Sequence, residues 1–201
     1  MQSKNSKTVY FWVIAVCFFG GILLAQQYLV RQGSDLIPGA GGDFTLQSVN
    51  GPVSLSDYKG KVVALYFGYM SCPDICPTSL YNLTEAVKLL TPEQSQKVQG
   101  VFVSVDFERD SPRALDIFVK GFNPAYVGLT GDNKAQIDKI ARQYNVIYEK
   151  VPLQDSAMGY VIDHSSVIYL IDQRGVIQFY EPHEEDPQVI AADLRKLLAA
   201  G

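Results

Sequence analysis

Cysteine is scarce in this chain: three occur among 201 residues, at positions 17, 72 and 76. So few exclude a disulfide framework of the kind that braces small exported domains. Positive charge is also sparse and unclustered, with 17 Lys and Arg against 21 Asp and Glu, a formal charge of -4 and a pI of about 5.1. That removes the basic face on which nucleic-acid binding depends. Histidine occurs twice, at 164 and 183. No internal repeat and no low-complexity segment is present, which leaves a single ordinary domain as the expected folded part.

Long apolar runs are confined to one. Residues 8–30 carry no charge and are mostly Val, Ile, Leu, Phe and Ala, enough to cross a hydrocarbon layer that needs about 20 residues. Lys4 and Lys7 precede the run, so the positive-inside tendency leaves residues 1–7 in the cytoplasm and carries everything after Arg31 to the far side. Tyr10, Trp12 and Tyr28 suit the two interfaces. A cleaved signal peptide is the rival reading, but the run is long for one and no small-x-small site follows it. Cys17 then reads as an apolar packing residue within the bilayer. The expected organisation is an uncleaved inner-membrane anchor over 8–30, a flexible Gly-rich linker over 31–42, and a periplasmic domain over 43–201.

Within that domain, residues 44–47 and 53–55 read as a hairpin around Asn50-Gly51. Residues 62–67 form a near-continuous apolar run, as in a strand covered on both faces. Leu80, Leu83, Val87 and Leu90 then recur at helical spacing. A second buried strand is expected over 98–105, and Ser111-Pro112 opens a helix reaching about Lys120. Further expectations are a helix over 132–144, a strand over 146–150, a hairpin of 167–171 with 176–180, and a last helix from Asp186-Pro187 to Ala199. Alternation of this kind indicates an α/β sandwich around a mixed sheet.

Cys72 and Cys76 sit between the first buried strand and the first helix. Side chains four apart on a helix share a face, roughly 5–6 Å apart at Cβ. A helix N-terminus also favours the thiolate. Two sulfurs so placed hold one metal ion or close into a disulfide. Thiolates with a neutral imidazole suit copper better than oxygen-rich sites do. His164, expected at the mouth of a strand in the same sheet as 62–67, is the preferred third ligand, since sites collect where loops gather at strand ends. His183 lies in an acidic loop and reads as a solvated turn. Met70 and Met158 offer thioethers in principle but more often fill gaps. Asp74 and Asp163 are placed to tune the site from outside it, or simply to be solvated.

The run Met70-Ser71-Cys72-Pro73-Asp74-Ile75-Cys76-Pro77 resembles the Sco/SenC family of membrane-anchored copper chaperones of cytochrome c oxidase. Tyr66-Phe67-Gly68-Tyr69, Ser104-Val105-Asp106 with Glu108-Arg109-Asp110, Gly128-Leu129-Thr130-Gly131 and Asp163-His164-Ser165 extend the match. The resemblance implies a thioredoxin-like α/β fold with the hairpin as an N-terminal extension. It also implies copper on Cys72, Cys76 and His164, an upstream copper donor, and oxidase subunit II as acceptor. Met70, where the family usually has Thr, and Phe107, inside the familiar Asp-Pro-Glu-Arg-Asp, depart from the pattern. A thiol-disulfide oxidoreductase is the alternative. Three residues rather than two separate the cysteines, and His164-Ser165-Ser166 stands where such enzymes carry a proline, so a metal carrier rather than an enzyme is expected.

Overall fold

The computed structural model describes residues 40–154 and 156–201. The expected anchor over 8–30 and most of the linker lie outside them. Among the described residues, no helix is long and apolar enough to cross a membrane.

The domain is built on a five-stranded mixed sheet. Its first strand in the chain, β3 (Val62–Gly68), follows a two-stranded hairpin of β1 (Thr45–Ser48) and β2 (Gly51–Ser54). Gly51 closes that hairpin at φ +110, a conformation that a Cβ disfavours. Next come α1 (Ile75–Lys88), the short α2 (Pro92–Ser95), β4 (Val98–Ser104), α3 (Pro112–Lys120), β5 (Val127–Leu129) and α4 (Lys134–Gln143). The chain ends through β6 (Tyr148–Pro152), β7 (Tyr160–His164), β8 (Val167–Ile171), β9 (Ile177–Pro182) and α5 (Pro187–Ala200). The sheet order is β5-β4-β3-β8-β9. β4 runs parallel to β3 and β5, while β8 is antiparallel to β3 and β9.

Both faces of the sheet are covered, which is why β3 reads as an unbroken apolar run. Val63, Leu65 and Phe67 point to one side, where they pack with Leu46, Ile137, Ile140 and Tyr144. Val62, Ala64 and Tyr66 point to the other, against Leu80 and Leu83 of α1, Leu115 of α3 and Leu194 of α5. Burying each Val, Leu, Ile or Phe among them is worth about 1.5–3 kcal/mol. Caps fix the helix starts: Ser111 accepts from the Ala114 N–H, Asn133 from Gln136 and Asp186 from Gln188, each satisfying an otherwise orphaned donor.

Three expectations change. β6 pairs with β7 in a separate ribbon instead of joining the main sheet. His164 therefore ends β7, and the strand that pairs with β3 is β8, which begins three residues later. β5 was not anticipated, being only three residues long with a glycine at its centre. At the start of the domain, the Gly41 N–H donates to the Gln143 carbonyl at 2.8 Å and the Tyr144 hydroxyl to that of Gly42 at 2.6 Å. Gly41 and Gly42 thus belong to the domain rather than to the linker.

Candidate metal centre

β3, the central strand of the sheet, ends at Gly68, a short loop follows, and α1 carries the chain away. Cys72 lies in that loop, packed against the hydrophobic clusters of both faces, and is half-buried. Cys76 is the second residue of α1 and fully buried. Asp74, at the N-cap position, makes no side-chain cap. Instead the Cys76 N–H donates to the Cys72 sulfur at 3.5 Å, so the sulfur takes up one of the helix's free donors. Gly68 makes room for the second sulfur: a Cβ there would lie 2.5 Å from Cys76 Sγ.

His164 arrives on the end of β7. Its Nδ1 is 3.0 Å from the Ser165 carbonyl oxygen. A carbonyl only accepts, so Nδ1 carries a proton, and in the neutral ring Nε2 is the nitrogen left to hold a metal. That Nε2 lies 3.3 Å from Cys76 Sγ. The ring stands edge-on between Tyr66 and Tyr69, at 6.2 and 5.8 Å between centroids. The Tyr66 hydroxyl reaches Cys76 Sγ at 3.9 Å. The two sulfurs and a ring nitrogen of His164 lie within 4.8 Å of one another. One side of the group opens into a cleft of about 380 Å³ lined by Tyr69, Cys72, Ile75, Val161 and His164 among others.

The thiols are driven apart in acidity. A hydrogen bond from the Cys76 thiol, followed by the His164 ring and the backbone of Asp74 and Cys76, outweighs burial and holds Cys72 at about 3, against an ordinary 9.0. That same hydrogen bond, together with burial and the Cys72 charge, pushes Cys76 far upward. The pair therefore holds one proton, with the charge on the more exposed sulfur, and gives that proton up only to something that replaces it, such as a cation.

The loop is fixed from below. Asp110, 1% exposed, accepts from the Met70 N–H at 2.9 Å and from Ser104 Oγ at 2.6 Å. Burial raises its pKa despite those two bonds.

Of the residues singled out in the sequence, Cys72, Cys76 and His164 come together, free of any disulfide. His183 does not join them; its Nε2 faces Glu184 at 3.4 Å. Met70 packs on the helical side of the core, and Met158 is exposed on the surface. Asp74 and Asp163 are exposed at the mouth of the cleft. Phe107 packs on the face of the sheet opposite α1. Sequence reasoning missed Gly68, Tyr66 and Tyr69 as parts of the site, though all three adjoin the cysteine run. It also missed Asp110, whose place under Met70 depends on a contact across 40 residues.

Comparison with known proteins agrees with this geometry. The family model described as SCO1/SenC matches residues 35–199. An SCO2-like protein of Rickettsia conorii is 44% identical over 136 residues, covering 67% of this chain and 65% of its own length. The mitochondrial SCO2 homolog of Bos taurus is 38% identical over 161 residues, 79% of this chain and 60% of its own. The match thus spans less than two thirds of either relative. The solved structure of Bradyrhizobium japonicum ScoI with copper bound is 37% identical, with a TM-score of 0.70 over 79% of this chain and 99% of that one. The fold is the mixed α/β, thioredoxin-like one expected, and the chain belongs to the SCO1/SenC family.

Proposed function

We propose that this SCO1/SenC protein carries copper, holding one ion on Cys72, Cys76 and His164 and passing it to the binuclear copper site of cytochrome c oxidase subunit II. The observation that carries the reading is the convergence of two sulfurs and a ring nitrogen within 4.8 Å, a soft donor set that selects copper over harder ions. Copper in the ScoI structure supports it. Three ligands and an open cleft leave one side of the ion accessible. A thiolate or imidazole of the acceptor enters there and takes the ion by stepwise exchange, and an upstream donor loads it by the reverse route. The anchor expected over 8–30 holds the domain at the periplasmic face of the inner membrane, raising its effective concentration near a membrane-bound acceptor.

The reading is tested in a strain that lacks the protein. Oxidase activity falls, and copper added to the medium restores part of it, because mass action replaces a carrier.

A second reading draws on the same sulfurs. The Cys72 thiolate attacks a partner's disulfide, Cys76 displaces the partner from the mixed disulfide, and two electrons leave the pair as its own disulfide closes. The lowered pKa of Cys72, which keeps it a thiolate, favours this chemistry. Rescue of the strain by a thiol reductant but not by copper would select it.

A further inference from the structure

His164 reaches the cysteines on a ribbon that is not part of the main sheet, so something must hold that ribbon in place. Side chains alternate along a strand, which puts Tyr160, Ile162 and His164 of β7 on one face. Ile162 is 3% exposed and packs into the core. Tyr160, at the far end, meets Arg109 from the loop between β4 and α3. The Arg109 guanidinium carbon lies 3.7 Å from the centre of the Tyr160 ring, with Lys150 Nζ at 4.6 Å from that centre. Arg109 Nη1 donates to the backbone carbonyls of Met158 and Tyr160 at 3.1 and 3.2 Å. Asp106, 1% exposed, closes the unit: it accepts from Arg109 Nε at 2.5 Å and from the Tyr160 hydroxyl at 2.7 Å. Arg109 also lies 5.9 Å from the Tyr69 ring, which in turn stands edge-on to His164 at 5.8 Å. Lys150 is paired with Glu108 of the same loop at 2.6 Å.

We propose that Arg109 is a positioning residue for the third ligand: it grips β7 at Tyr160 so that His164 Nε2 stays within reach of the two sulfurs. The inference rests on His164 being a copper ligand. A planar fork that stacks on a ring while donating to an acid and two carbonyls is a task for arginine that lysine performs poorly. The clamp lies at the opposite end of β7 from His164 and touches no ligand, so it reaches His164 through the ribbon and Tyr69.

The test is a double-mutant cycle on the full-length protein, reading copper affinity against a competing chelator under reducing conditions. Arg109→Met lowers affinity about 10–100-fold, the usual effect of removing a residue that orients a metal ligand. Arg109→Lys lies between it and the wild type. In the His164→Ala background, Arg109→Met has no further effect. In the copper-free protein, Arg109→Met also speeds amide exchange along β7 and shifts the His164 ring resonances. Tyr160→Phe, which removes only the hydroxyl bond to Asp106, runs through the same cycle as a milder lesion should Arg109→Met not fold. Equal losses in both backgrounds would mean that Arg109 merely supports the fold, and no loss in either would remove its role; both overturn the proposal. Equal affinity in the wild type and His164→Ala would instead sink the three-ligand reading, and β7 exchange would then decide alone whether Arg109 holds the ribbon.

Discussion

At the scale of single residues, the site depends on close approach and on one proton. Gly68→Ala places a Cβ 2.5 Å from Cys76 Sγ, in a place also bounded by Tyr66 and Phe102 at 3.1 Å. Overpacking of this kind costs about 1–3 kcal/mol. We expect the variant to melt earlier and, where folded, to bind copper more weakly than its fold would suggest; unchanged copper affinity would show that Cys76 can move aside freely. The acidity of Cys72 gives a second expectation. Held at about 3 instead of 9.0, it is a thiolate at pH 5, where an ordinary cysteine is almost wholly protonated. Iodoacetamide at pH 5 should label Cys72 in the copper-free protein and leave the buried Cys76 untouched. A labelling rate that rises with a midpoint near 9 would refute the assignment. The ligands themselves were legible in the sequence because few soft donors exist to choose from. Gly68, Tyr66, Tyr69 and Asp110 were not read as site residues, since apolar patterning describes a strand without saying which of its members faces a sulfur.

At the scale of elements, the strands and helices with strong periodicity were legible, and the failures share a cause. The 146–150 strand was recognised, but its partner β7 was not, because Tyr160 to His164 has a single fully buried residue, Ile162, among half-buried and exposed ones. A ribbon resting one face on the body has no continuous apolar run to announce it. The packing of α5 on β9 gives another expectation. Glu181, 4% exposed on β9, has its pKa raised to about 8 by burial and by Asp193 of α5, with Glu185 adding to the rise and Lys196 opposing it. Lys196 is itself bonded to Asp193. The folded value lies above the ordinary 4.5, so between about pH 4.5 and 8 the folded protein holds a proton that the unfolded chain has lost. Stability accordingly falls as pH rises through that window, by at most roughly 1.4 kcal/mol per unit. Glu181→Gln should flatten this decline and raise the melting temperature at pH 8 while changing little at pH 4.5. Parallel curves for the two proteins would place the effect elsewhere.

At the scale of the whole molecule, the fold brings together residues from distant parts of the chain, with Cys76 and His164 separated by 88 positions. Two apolar layers around one sheet fix the cysteine loop at the end of the central strand, while a clamped ribbon brings the histidine over it. The α/β sandwich was legible from the alternation of buried strands and helices. The separate ribbon was not, because strand pairing is decided by long-range packing rather than by local pattern. Everything in the functional account rests on one ion held by two sulfurs and one nitrogen. The direct measurement is X-ray absorption at the copper edge of the full-length protein loaded anaerobically with one equivalent. We predict a first shell of two sulfurs and one imidazole nitrogen, with the nitrogen lost in His164→Ala and retained in His183→Ala. A shell of sulfurs alone in the wild type, or a nitrogen that persists in His164→Ala, would contradict the account.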